Sequence, residues 1–201
     1  MDSSDIRLCF VGDSFVNGTC DPDYLGWTGR VCIAARNTGY ALTSYNLGVR
    51  RDTSTDIAVR WQDECLRRLP DSCDGRIVFS FGVNDTTVED GVSRVSTEQS
   101  LINAREMLST SLSLYPTLMV GPPPIADLDQ NRRTQYLAEQ VRLVAEEVGV
   151  SYLDVFSSLE RSTTWMHEVA LLDGAHPQAG GYVELASLVQ AWSAWWFSAK
   201  S

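Results

Sequence analysis

Five short apolar runs, separated by longer stretches with helical spacing, constrain this chain more than any other feature. The runs occupy residues 6–11, 43–49, 76–81, 117–121 and 151–156. The first, third and fourth are apolar almost throughout, the pattern of strands covered on both faces of a parallel sheet. Between them, Ile57, Trp61, Cys65 and Leu69 recur every four residues. Leu101, Ala104, Leu108, Leu112 and Tyr115 follow steps of three and four, as do Leu137, Val141, Val144 and Val148. A last helix is expected to carry Tyr182, Leu185, Val189, Trp192 and Trp196 on one stripe, docked on the sheet. This alternation predicts one doubly wound α/β domain over residues 1–201 with right-handed crossovers. A chain of 201 residues has room for one sizeable core and little more. Pro122-Pro123-Pro124 reads as a rigid loop, because periodic segments resume on either side.

Charge and cysteine usage exclude several classes. Lys and Arg number 16 against 26 Asp and Glu, a net charge of -10 that disfavours duplex nucleic acid or an anionic membrane as partner. The five cysteines (Cys9, Cys20, Cys32, Cys65 and Cys73) are odd in number and form no CxxC pair or Cys/His cluster. Neither a zinc site nor a disulfide scaffold is therefore expected, and Cys9 and Cys32 read as small buried hydrophobes. Residues 1–5 carry no basic or apolar leader, and the uncharged stretches 107–126 and 185–199 are too polar or too short to span a membrane. The expectation is a soluble cytoplasmic protein.

In α/β folds reactive groups sit outside the carboxyl ends of the strands, so a chemical residue should follow a strand. Gly12-Asp13-Ser14 directly follows the first run. A serine there stands at the sheet edge, where a following helix can turn its dipole toward developing negative charge. The same tripeptide also makes a polar turn. Near the other end lies Asp173-Gly174-Ala175-His176-Pro177, with one of the two histidines. Pro177 suits the first position of a helix, which would leave His176 near its cap. The three-residue spacing lets Asp173 bond one imidazole nitrogen, which is expected to raise the histidine pKa and leaves the other nitrogen for a serine proton. An Asp-Gly turn with an incidental histidine is the alternative. His167 has no such setting and reads as a surface residue. Gly48 ends the second run and Gly82-Val83-Asn84-Asp85 follows the third; a bare backbone N–H and an amide there can donate to an oxyanion, though each is also an ordinary strand-end turn.

Taken together and in this order, Gly12-Asp13-Ser14, Gly48, Gly82-Val83-Asn84-Asp85 and Asp173-Gly174-Ala175-His176-Pro177 resemble the four blocks of the SGNH (GDSL-type) hydrolases. They span residues 12 to 177, nearly the whole domain. The resemblance implies a flavodoxin-like three-layer α/β/α sandwich with a five-stranded parallel sheet, and neither metal nor organic cofactor. It implies Ser14 as nucleophile, His176 as general base and Asp173 as its orienting carboxylate, with an oxyanion hole from the N–H groups of Ser14 and Gly48 and the Asn84 side chain. The activity implied is carboxylic ester hydrolysis of small acyl esters through an acyl-enzyme.

The family's second block often has another glycine three residues after the first, whereas this chain has Gly48-Val49-Arg50-Arg51, a bulkier and cationic loop. Arg50 and Arg51 can attract a carboxylate or other polar group of a substrate, or simply be solvated surface charges. Loops 16–23, 50–56, 85–96 and 127–133 are mostly polar, which favours small soluble esters over long-chain lipids. Residues 159–172 are either an apolar lid or a short helix packed on the body. Tyr24 and Trp27 can stack on a sugar ring or belong to the core. The reading from another class is a non-catalytic flavodoxin-like small-molecule or nucleotide binding module. Against it, the chain lacks GxGxxG and GxxxxGK[ST].

Overall fold

The computed structural model describes residues 5–197. Its strands are β1 (Ile6–Gly12), β2 (Leu42–Gly48), β3 (Asp74–Ser80), β4 (Val88–Glu89), β5 (Val92–Ser93), β6 (Thr117–Val120) and β7 (Ser151–Leu153). Five of them form one sheet in the order β2-β1-β3-β6-β7, with every pairing parallel. That is the flavodoxin-like order, with its switch point between β1 and β3. The helices are α1 (Ser14–Asn17), α2 (Gly26–Asn37), α3 (Ser54–Leu66), α4 (Thr97–Leu114), α5 (Leu128–Val148), α6 (Phe156–Leu159), α7 (Thr163–Leu171) and α8 (Ala179–Ala191). They make the outer layers of the α/β/α sandwich.

The two-residue period of β1 sorts its side chains between two cores. Leu8 and Phe10 join Trp27 and Val31 of α2 and Tyr182, Leu185 and Val189 of α8. Cys9 and Val11 face the other way, with Ile57 and Trp61 of α3, Met107 and Leu108 of α4 and Val141 of α5. Cys9 is fully buried as expected, whereas Cys32 is only half-buried.

Four details differ from the sequence reading. β7 stops at Leu153, because the Asp154 carboxylate accepts the Phe156 N–H (2.9 Å) and turns the chain into α6. The hairpin β4–β5 was not expected; Asp90-Gly91 takes positive φ (51° and 80°), the geometry of a tight hairpin turn. α8 ends at Ala191, so Trp192 and Trp196 lie beyond the helix; the chain folds back and sets Phe197 against Tyr40 (centroids 5.2 Å apart). Pro177 lies outside α8, which starts at Ala179 with Gln178 as its cap.

The segment 159–172 resolves as α7 packed on the body. Trp165 and Val169 are fully buried, and the Trp165 indole N–H donates to the Pro124 carbonyl at 2.9 Å. Lifting this helix as a lid would return both side chains to water, at about 1.5–3 kcal/mol each. Among the described residues no helix is long and apolar enough to cross a membrane.

Candidate active site

Gly12, Gly48 and Ser80 stand in register at the carboxyl ends of β1, β2 and β3, which sets the segments that follow them side by side. Asp13 turns the chain from β1 into α1 by accepting the Phe15 N–H at 2.9 Å, and Gly18, at φ 83°, ends the helix after one turn. Ser14 is thereby the first residue of α1 and nearly buried. Gly48 is required by packing: a Cβ there would overlap Asn17 N and come within 2.7 Å of the Asp13 carbonyl oxygen. Only a bare backbone lets β2 approach α1 this closely.

His176 reaches the same edge from the opposite end of the chain. Its turn is folded by Asp173, whose Oδ1 accepts the N–H groups of Ala175 (3.0 Å) and His176 (2.9 Å). The other oxygen, Oδ2, lies 2.7 Å from His176 Nδ1, and His176 Nε2 lies 2.7 Å from Ser14 Oγ. The turn is tied to the proline loop by the Ala126 N–H, which donates to the Gly174 carbonyl at 2.8 Å. The Phe15 ring packs on His176 (4.8 Å) and Trp165 (6.3 Å), fixing the imidazole from behind. Where a proline-led first turn was expected, Glu168 of α7 caps α8 instead, accepting the N–H groups of Gln178, Gly180 and Gly181 at 2.8, 3.1 and 2.7 Å.

Electrostatics favour a neutral imidazole. Burial depresses the His176 pKa; the Asp173 carboxylate opposes this, the Arg50 guanidinium adds to it, and the balance lies below the ordinary value. The expected rise is thus corrected, because desolvation of a ring only 7% exposed outweighs its carboxylate partner. Burial would raise the Asp173 carboxyl, but hydrogen bonds from His176 and Ala175 hold it at about 2. Burial pushes Asp13 up to about 7 despite the Phe15 N–H.

The three expected oxyanion donors stand in different states. The Ser14 N–H, at the first helical position, has no intrahelical acceptor. Asn84 donates one amide hydrogen to the Asp52 carbonyl at 3.0 Å and keeps a second. The Gly48 N–H donates to Asn46 Oδ1 at 3.0 Å, so it meets an oxyanion only by leaving or sharing that bond.

Three positioning residues carried no sequence signal of their own. Asn46, besides holding Gly48, donates to the Val16 carbonyl at 2.7 Å. Arg60 of α3 donates to the carbonyls of Gly12 (2.9 Å) and Leu47 (3.0 Å) and pairs with Asp52 (2.7 Å), bracing the ends of β1 and β2. Asp85 was visible only as part of its block; buried, it accepts the Ser54 N–H and the Ser100 hydroxyl, both at 2.7 Å. Arg51 fills the position where a second glycine was expected and takes φ 69°, a conformation that costs a non-glycine residue about 1–3 kcal/mol. It pairs with Glu89 of the hairpin at 2.8 Å, and its carbonyl accepts from Arg94 at 2.9 Å.

An open groove of about 640 Å³ borders this edge, lined by Asn17, Thr19, Tyr24, Asn46 and Arg50 among others. Tyr24 is 94% exposed there, whereas Trp27 is core, edge-on to Phe10 at 5.3 Å. His167 is exposed on α7.

The parallel sheet thus presents a hydroxyl, an imidazole and a carboxylate in one hydrogen-bonded row at its carboxyl edge. Residues 10–183 match the GDSL-like lipase/acylhydrolase family, and the chain belongs to it. An acetylxylan esterase from Geobacillus stearothermophilus is 23% identical over 90% of both chains. Among solved structures, the acetylxylan esterase Axe2 from that organism has a TM-score of 0.75 at 18% identity, covering 94% of each chain. A lipase/acylhydrolase from Enterococcus faecalis has a TM-score of 0.70 at 21% identity, covering 91% of this chain and 92% of its own. At these identities the structural likeness is one of fold.

Proposed function

We propose that this protein is a serine esterase that cleaves small, polar acyl esters through an acyl-enzyme. The observation that carries the reading is the unbroken row from Ser14 Oγ through His176 to Asp173, with both links at 2.7 Å. Ser14 Oγ attacks the ester carbonyl while His176 Nε2 takes its proton. The oxyanion that forms is met by the Ser14 N–H, the free Asn84 amide hydrogen and the Gly48 N–H released from Asn46. His176 then protonates the departing alcohol, and water repeats the sequence to free the acid. Asp173, ionised across the working range, holds the ring so that Nε2 bears the lone pair. The groove at the same sheet edge, lined by Asn17, Thr19, Asp21, Asn46 and Arg50, and the relation to an acetylxylan esterase support a hydrated substrate rather than a lipid.

A fluorophosphonate tests the chemistry, since it modifies an activated serine. Stoichiometric modification at Ser14 is expected; no modification would return the chain to the class of binding modules. For acyl size, kcat/KM is expected to be higher for p-nitrophenyl acetate and butyrate than for dispersed palmitate. A palmitate advantage, or activation by a lipid interface, would overturn the substrate reading.

Asn84→Ala is expected to lower kcat by roughly a hundred- to a thousandfold with little change in KM, because the amide meets the oxygen mainly in the transition state. Its bond to the Asp52 carbonyl gives the side chain a structural task as well, so the thermal midpoint should fall slightly. A stability loss with normal kcat would leave Asn84 as a loop anchor only.

A further inference from the structure

Sequence spacing offers no Cys/His cluster, yet the fold builds one. Cys20 follows α1 and comes back to the Asp173 turn across 153 residues of chain, its Sγ 3.9 Å from Asp173 Oδ2. His176 Nδ1 lies 2.7 Å from that same oxygen, and all three ligand atoms fall within 4.8 Å of one another. We propose that Cys20, Asp173 and His176 form a binding site for a thiophilic divalent cation, Zn²⁺ being the type, and that its occupancy disables the Ser14–His176 pair.

Thiolate, imidazole and carboxylate are a zinc donor set, whereas Mg²⁺ and Ca²⁺ require oxygen ligands. In a tetrahedral zinc centre with bonds of about 2.0–2.3 Å, neighbouring ligand atoms lie roughly 3.3–3.5 Å apart. Starting from 2.7 Å, Asp173 and His176 must therefore separate by roughly 0.6–0.8 Å, and the Cys20 sulfur must close in by about 0.4 Å on the carboxylate and no more than about 1.5 Å on the imidazole. Cys20 is exposed, with room for its side chain to swing. Asp173 is already ionised and His176 neutral, so only the thiol changes protonation. It exchanges its proton for the metal, and one proton leaves per cation bound. Water completes the fourth position.

The effect on the hydrolase follows from the imidazole's single ring proton. To accept from Ser14, Nε2 must be unprotonated, so the proton sits on Nδ1, facing Asp173. A metal on Nδ1 needs that nitrogen's lone pair and moves the ring proton to Nε2. The hydrogen then points at Ser14 Oγ, and no base remains for the serine proton. The metal thus acts through the tautomer, from the Cys20 wall of the groove. Burial and the Asp173 carboxylate raise the Cys20 pKa, and Arg50 offsets only part of that rise; the same guanidinium is the local charge that opposes the cation.

The site itself stands apart from the hydrolase reading; only the inhibition rests on it. Titration of the metal-free protein with Zn²⁺ in a calorimeter is expected to show one site per chain, and Co²⁺ is expected to give a thiolate-to-metal absorption band. Ser14→Ala should keep both, while Cys20→Ser should lose the band and weaken Zn²⁺ binding at least tenfold. In the assay, Zn²⁺ should abolish wild-type ester hydrolysis and a chelator should restore it. Cys20→Ser, compared with its own zinc-free rate, should be at least tenfold less sensitive. Absence of binding, or Cys20→Ser binding as tightly as wild type, would overturn the site. Binding that leaves hydrolysis untouched would overturn the tautomer switch. A protein that binds zinc but hydrolyses no ester would retain the site and lose the proposed activity.

Discussion

Ser14→Ala and His176→Ala are each expected to lower kcat for p-nitrophenyl acetate by about 10⁴–10⁶-fold, and the double variant to be little worse than either single one. The reason is geometric. Ser14 Oγ and His176 Nε2 are 2.7 Å apart, so neither group performs its step without the other. Once the hydroxyl is gone the imidazole has no proton to take, and once the imidazole is gone the hydroxyl stays a weak nucleophile. Both side chains are nearly buried, so thermal unfolding must accompany the kinetics to show that the loss is chemical. His167→Ala serves as the control, because that ring is exposed on α7 and should be silent. Losses that multiply in the double variant would mean that the two residues act in separate steps. Loss of activity in His167→Ala alone would move the base to another place in the fold.

The fold was legible because its central strands have no polar face. Val78 and Phe79 are buried on opposite sides of β3, and such a run has no stable place except inside a parallel sheet. Ends were harder to read. The stripe from Tyr182 continues in sequence to Trp196, but apolar spacing records which residues seek the core, and Trp195 and Phe197 reach it from irregular backbone. The Asp90-Gly91 turn carried a hairpin signal, although the two-residue strands around it are too short for a readable alternation. At the site, block order pointed to Ser14, Asp173, His176, Gly48 and Asn84, and the fold brings their segments to one edge. What block order could not supply is the state of each group. Gly48 is demanded by its approach to α1 whatever its N–H does, and that N–H is held by Asn46. Arg60 reads as one more polar residue on a helix surface until the chain is folded and its guanidinium meets two strand-end carbonyls. Cys20 was invisible for the same reason, since its neighbours are distant in sequence.

Asp173→Asn separates two tasks that one carboxylate performs. Oδ1 folds the turn by accepting the N–H groups of Ala175 and His176, and Oδ2 holds Nδ1. An asparagine keeps an oxygen for the turn and sets an NH₂ group against Nδ1. The ring then accepts at Nδ1 and carries its proton on Nε2, the tautomer that cannot take the serine proton. kcat is therefore expected to fall about 10⁴-fold, or about 5 kcal/mol, with the fold retained. The pH profile gives a second reading with a definite sign. His176 works as a neutral base, so kcat/KM is present above its pKa and is lost as pH falls through it. Burial already sets that pKa below the ordinary value, and the charge of Asp173 opposes the depression. Removing the charge leaves burial and Arg50 unopposed, so the acid limb should move to lower pH in the variant. Asp13, pushed up to about 7, also titrates near the site; Asp13→Asn removes that carboxyl while keeping an acceptor for Phe15. The limb that remains in Asp13→Asn belongs to His176, and the Asp173 double variant should shift that one. A normal kcat in Asp173→Asn, or an acid limb displaced upward, would show that Asp173 only folds the turn and that the base is oriented by another group.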